Sequence, residues 1–159
     1  MGLAYRLKAV ALKKAPAAAG GLYLNHGIAS ISQPLFEALV PQMLNYESVG
    51  GVSFKKGCYP GQEVVARSQF RGTLKRRAFL ACSAGSMRAG EEIFKAADPD
   101  QACGLVAQAA AVPPGLGAGF EAIGSIQLSA ADAGPLHLGS ASGPTLTLSP
   151  PPYPLLADI

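Results

Sequence analysis

From Lys75 onward the sequence is cut into short alternating runs by turn residues, and this punctuation leaves room for little except antiparallel strands. Runs at 77–82, 92–96, 104–109, 121–128, 136–138 and 145–148 are spaced like the strands of a small antiparallel barrel or sandwich. The 19 Gly and 13 Pro among 159 residues bias the chain the same way, toward turns and against long helices. The closing Pro150-Pro151-Pro152-Tyr153-Pro154 cannot donate to a ladder, so this end is expected to leave the sheet as an extended strap.

Before Lys75 the texture differs. Residues 1–21 mix apolar and basic residues and then run into Ala, Pro and Gly, which hold no regular element for long. A turn is expected at 25–27, a short helix or irregular segment interrupted by Pro41 at 35–44, and a short strand where Val52 and Phe54 alternate with Ser53. Gly57 and Gly61 bracket a tight connection. Residues 62–70 contain no breaker and repeat at helical spacing, which predicts a short helix with Pro60 and Gly61 at its first turn. Glu63 there complements the positive end of the helix dipole, Gly72 ends the helix, and a domain boundary falls near 72–75.

With 49% hydrophobic residues the chain can bury a core without disulfides. The net charge of +3 is modest but local: of 13 basic residues, Lys55, Lys56, Arg67, Arg71, Lys75, Arg76 and Arg77 fall within one stretch. Such a patch suits an anionic partner, although a solvated face is the commoner outcome. Three cysteines, Cys58, Cys82 and Cys103, are odd in number and form no C-x-x-C pair, arguing against a disulfide framework or a complete metal site and for a reducing compartment. No apolar run is long enough for a membrane span, and Met1–Lys14 lacks the order of a secretory signal.

The segment Lys55-Lys56-Gly57-Cys58-Tyr59-Pro60-Gly61-Gln62-Glu63 carries the chemistry. A cysteine on a glycine-flanked turn, before a helix N-terminus and beside two lysines, has surroundings that favour thiolate. The glycines let backbone approach a ligand, Tyr59 offers a ring for stacking and a hydroxyl, and Glu63 and Arg67 stand at i and i+4 on one helix face. Plainer readings stand beside these. Free cysteine is often buried, surface lysines are usually solvated, and an i, i+4 pair is usually a weak helix contact. Cys82 and Cys103 lie in apolar strand-like runs and read as core. His26 and His137 have no neighbouring ligand cluster, and the Gly115–Gly117 pair opens no helix, so neither suggests a metal or nucleotide site.

The string Lys56-Gly57-Cys58-Tyr59-Pro60-Gly61-Gln62-Glu63 resembles the K-G-C-Y-x-G-Q-E signature of the YgfZ family. Its flanks agree: Val40-Pro41-Gln42, Asn45 and Gly50-Gly51-Val52-Ser53-Phe54-Lys55 before it, Val65-Ala66-Arg67 and Phe70-Arg71-Gly72 after it. The resemblance runs from about Leu22, through Leu24-Asn25-His26-Gly27-Ile28, to an ending at Thr147–Tyr153 like the family's own. Leu24, where the family tends to have Arg, and Pro150–Pro152 depart from the pattern.

This resemblance implies an α+β fold: residues 22–74 form the end of an aminomethyltransferase-like folate-binding module and residues 75–159 a small antiparallel β-barrel, while 1–21 are expected to be poorly ordered or unmatched. Family members are much longer, so most of the folate pocket is expected outside this chain. The implied function is that of a cytoplasmic bacterial folate-binding accessory protein for iron–sulfur cluster assembly or repair, including transfer-RNA-modifying iron–sulfur enzymes. The alternative is a tetrahydrofolate-dependent aminomethyltransferase of the glycine cleavage type, against which the cysteine signature itself stands.

The implied cofactor is tetrahydrofolate or a derivative, and the implied partners are iron–sulfur client enzymes. By resemblance Cys58 is the functional thiol, and Lys56, Gly57, Tyr59, Gly61, Gln62, Glu63 and Arg67 are folate-contact candidates, with no metal ligand. Whether Cys58 acts as a redox thiol, a transient sulfur or cluster ligand, or a conformational element stays open, since one cysteine cannot hold a cluster alone. Direct nucleic-acid binding is not expected, because only Tyr59 and Phe70 interleave with the basic residues.

Overall fold

The computed structural model of the chain describes residues 24, 26–53, 55–57, 62–70 and 74–156. Expectations for 1–21, for Pro60 and Gly61 in the first helical turn, and for Gly72 as a helix end lie outside those residues. Six strands close into an antiparallel barrel: β1 (Arg76–Ser83), β2 (Glu92–Lys95), β3 (Asp98–Ala111), β4 (Phe120–Gln127), β5 (Leu136–Leu138) and β6 (Thr145–Ser149). Around the barrel they run β1, β4, β3, β2, β5, β6 and return to β1. Closure removes the unpaired edges that a strand stack of this size would otherwise expose.

Alternation along the strands builds two cores. One takes Ala81, Ile93, Cys103, Val106, Ala122, Ile126, Leu136, Leu138 and Leu146 from all six strands and therefore fills the barrel, with Met87 and Ala130 packed among them. The other places Ala78, Ala107 and Ile123 on the outer face of β1, β3 and β4, beneath Leu24, Ala29, Leu35 and Leu44. Burying each Leu or Ile stabilises by about 1.5–3 kcal/mol. A β-bulge in β3 separates the halves of its register, between Val106 and Gln108. It shifts the alternation so that Ala109 packs with the inner core and Ala110 with the outer one. Gln108 can then reach the overlying segment, where its Oε1 accepts from the Ser30 N–H at 2.8 Å.

Strands expected at 77–82, 121–128 and 145–148 are found within a residue of their predicted limits, and 136–138 coincides with β5. Two expectations need correction at the ends. The run expected at 104–109 is longer at both ends, β3 beginning at Asp98 and ending at Ala111. Residues 96–97 are the turn, and register shifts on β2 absorb the irregularity. Leu128 closes no strand but opens α2 (Leu128–Ala131).

The described part of residues 26–57 is mostly turn and coil, broken by two short 3-10 helices. Pro34 and Pro41 sit in the first turns of Gln33–Leu35 and Pro41–Leu44, where a missing N–H costs little. The helix α1 (Glu63–Phe70) lies within the predicted span 62–70. Residues 51–53 form no strand, contrary to the expected alternation there, and Phe54 is outside the described residues.

Beyond β6 the prolines leave the sheet as expected. Gly27, at φ +67°, lies beneath this strap: a Cβ there would stand 2.9 Å from Pro152 Cδ and 3.1 Å from Tyr153 Cε1. The Tyr153 hydroxyl donates to the Gly27 carbonyl at 2.8 Å. Among the described residues no helix is long and apolar enough to cross a membrane.

Candidate functional site

The signature segment joins the barrel through the second 3-10 helix. Asn45, its left-handed C-cap at φ 60° and ψ 21°, is fully buried against β1. The Ala78 N–H donates to Asn45 Oδ1 at 3.1 Å, and Asn45 Nδ2 donates back to the Ala78 carbonyl at 2.9 Å. Three residues earlier, buried Gln42 points the other way, and its Nε2 donates to the Val65 carbonyl of α1 at 2.8 Å. The Ser125 hydroxyl of β4 donates to the Met43 carbonyl at 3.0 Å. A few side chains thus fix where the signature helix stands relative to the barrel.

Of the predicted site residues, Cys58, Tyr59 and Gly61 lie outside the described residues. Lys56 and Gly57 are exposed, as is the neighbouring Lys55. Gly57 is not in the left-handed region, and a Cβ there would meet nothing within 4 Å. Gln62 is half-buried, and its Oε1 is shielded from solvent without a hydrogen-bond partner among the described residues. Glu63 and Arg67 are both exposed on α1 and form no ion pair there, so the i, i+4 spacing is not used as a contact.

Sequence reasoning missed a buried polar cluster between the segment that precedes the signature and the barrel's first strand. Arg77 belongs in sequence to a basic stretch expected at the surface, solvated or facing an anionic partner, but it is buried and its Nη1 pairs with Glu47 Oε1. Its Nη2 donates to the Leu156 carbonyl at 3.0 Å. Ser48 Oγ donates to Glu47 Oε1 at 3.1 Å and accepts from the Leu156 N–H at 3.2 Å. Glu47 Oε2 is buried with no hydrogen-bond partner among the described residues. The Tyr46 hydroxyl donates to the Ala29 carbonyl.

Burial pushes the Tyr46 phenol above its ordinary range, with Tyr153 adding to the shift. Tyr153 moves the same way, mainly through burial and opposed by its hydrogen bond from Asn45. The only warning in the sequence was that Asn45 and Gln42 fell among the signature's matching flanks. The partners Glu47 and Arg77 stand too far apart along the chain for any local spacing to link them.

The two described cysteines divide. Cys103 faces the filled barrel, and burial raises its thiol pKa. Cys82 is exposed on β1, which corrects the expectation that it belongs to the core. A cleft of about 300 Å³ opens where Leu39 and Met43 meet Arg76, Glu92 and Leu105.

No family model matches the sequence. Comparison with curated proteins finds the tRNA-modifying protein YgfZ of Edwardsiella ictaluri, 36% identical over 135 residues, covering 83% of this chain and 40% of that protein. The protein of the same name from Aliivibrio fischeri is 42% identical over 73 residues, 45% of this chain and 23% of the relative. That of Escherichia coli K12 is 50% identical over 56 residues, 34% of this chain and 17% of the relative. The chain thus spans two fifths or less of the length of these relatives. A match over 83% of the chain leaves too few residues outside it to miss the signature at 56–63.

Proposed function

The chain belongs to the YgfZ family, and on that premise we propose that it supplies the signature-bearing part of a folate-binding accessory factor for iron–sulfur proteins, among them enzymes that modify transfer RNA. The observation that carries the reading is the match just described, in which the signature lies inside the aligned region of a relative named for tRNA modification. Nothing in the relatives' names favours an aminomethyltransferase.

In this reading Cys58 is the working thiol. Lys55 and Lys56, both exposed close before it in sequence, would favour its thiolate form. The residues present fit a folate in part: Gln62 Oε1, shielded and without a hydrogen-bond partner among the described residues, is an acceptor suited to an N–H of a pterin ring. Lys56 would meet the glutamyl carboxylates, Tyr59 would stack, and Gly57 and Gly61 would leave space for the ligand. Glu63 and Arg67 would lie at its margin. Bound folate would supply a one-carbon carrier, and the rest of its pocket would come from the aminomethyltransferase-like part of the relatives' length that this chain does not match.

The test is a chimera. This chain is joined to the portion of the Edwardsiella ictaluri relative outside the match, and expressed in cells whose own relative is deleted. Thiolated nucleosides are then measured in their transfer RNA. The chimera should restore them and its Cys58→Ala form should not, at equal abundance. Full restoration by Cys58→Ala would remove the thiol from the mechanism, and a chimera that restores nothing while binding no tetrahydrofolate would sink the proposal.

A further inference from the structure

The cleft beside Leu39 and Met43 holds two opposite charges, Arg76 and Glu92, that do not pair with each other. Alternation along the strands brings both to it. Ala78 packs on the outer face of β1 and Ile93 in the barrel interior, so Arg76, two residues before the one, and Glu92, next to the other, project outward. Register sets them at one level of the barrel: Arg76 lies opposite Gln127, Ile126 opposite Gly104, and Leu105 opposite Glu92. Three strand spacings, together about 14 Å, thus separate their backbones.

The other side chains that line the cleft are apolar. Leu39 and Leu105 pack at the edge of the outer core, and Ala102 lies beside them. Met43 is held in place because its carbonyl accepts from the Ser125 hydroxyl at 3.0 Å, and its thioether can adapt to what it meets. A volume of about 300 Å³ stands at the small end of the range for small-molecule sites, and apolar walls with a few charged groups are their usual make-up. Arg76 is half-buried and Glu92 exposed, and among the described residues neither takes part in an ion pair.

We infer that this cleft binds a free α-amino acid with an apolar side chain. The ligand's carboxylate meets the Arg76 guanidinium, its ammonium meets the Glu92 carboxylate, and its side chain lies against Leu39, Met43 and Leu105. One small molecule carrying both charges bridges a gap that the two protein groups leave open. A ligand with a single charge would leave one of them unmatched. The inference uses no residue assigned to folate or to the working thiol, so it stands or falls apart from that reading.

Titration of the methyl-labelled full chain with L-leucine, followed by NMR, tests it. The methyl signals of Leu39, Met43, Ala102 and Leu105 should shift saturably with a Kd in the millimolar range, while those of Leu136 and Leu146 in the barrel interior stay still. Leucinamide, which lacks the carboxylate, and N-acetylleucine, which lacks the ammonium, should each bind about threefold more weakly or worse. Arg76→Gln should bring leucine down to the level of leucinamide and leave leucinamide unchanged, and Glu92→Gln should do the same with respect to N-acetylleucine. Spectra without ligand report whether each variant folds, and Glu92→Gln, at an exposed position, keeps the test open should Arg76→Gln misfold. The inference is overturned if no saturable shift develops up to the solubility of leucine. It is equally overturned if all three ligands bind alike, which would leave an apolar depression without charge recognition.

Discussion

Asn45 and Ala78 are joined by two hydrogen bonds, 3.1 Å and 2.9 Å long, in which one amide side chain both accepts from and donates to the backbone of β1. The side chain serves as a surrogate strand partner at a point where no neighbouring strand follows β1 on that side, and it does so from a left-handed backbone that Asn tolerates well.

Asn45→Ala should therefore cost about 2–4 kcal/mol, since it orphans a buried N–H and a buried carbonyl and places Ala where φ is positive. Urea unfolding followed by circular dichroism measures it. A loss no larger than that of a surface Ala substitution would mean that water replaces the side chain.

Arg77→Met should cost about 3–5 kcal/mol, because it leaves the Glu47 carboxylate buried and without its cation. Adding Glu47→Gln to Arg77→Met should recover part of that loss. A double-mutant cycle in urea reports the coupling, and additivity of the two single changes would show that the pair contributes nothing as a pair.

Alkaline pH should weaken the fold through Tyr46 and Tyr153. Burial raises both phenol pKa values in the native state, so above about pH 10 the folded chain holds protons that the unfolded chain has released. Their contribution is whole below the unfolded pKa and is lost as pH climbs through the higher folded value. Urea midpoints should be level in this respect near neutrality and fall beyond about pH 10, and Tyr153→Phe should flatten that fall while costing about 1 kcal/mol at neutral pH through the lost bond to Gly27.

Thiol labelling should separate the two described cysteines. Iodoacetamide should modify exposed Cys82 readily and Cys103 only when the barrel opens, since Cys103 is 1% exposed and burial keeps its thiol protonated. Equal rates at the two sites, read by peptide mass spectrometry, would contradict a filled interior.

The barrel was legible in the sequence because its strands bury every second residue, and alternation is a local signal that survives in Phe79 and Ala81 against Ala78 and Leu80. The start of β3 was not, since Pro99 between two aspartates looks like a turn until a bulged hairpin is there to hold it. Arg77 misled for another reason. It follows Lys75 and Arg76 in a basic run, and what sets it apart is a carboxylate thirty positions away, at Glu47. The signature was readable as a resemblance, but its surroundings depend on Gln42 and Asn45, whose opposite-facing bonds are properties of the folded chain.

The seam that closes the barrel is made late in the sequence. β6 bridges β5 and β1, and the strap beyond it supplies Tyr153 to Gly27 and Leu156 to Ser48 and Arg77. During synthesis, then, a ribosome must release residue 149 before the cylinder can shut and residue 156 before the earlier layer can be latched down. A nascent chain stalled before residue 145 would hold β1 with one flank bare, and would be a natural target for chaperones or proteases until those last contacts arrive.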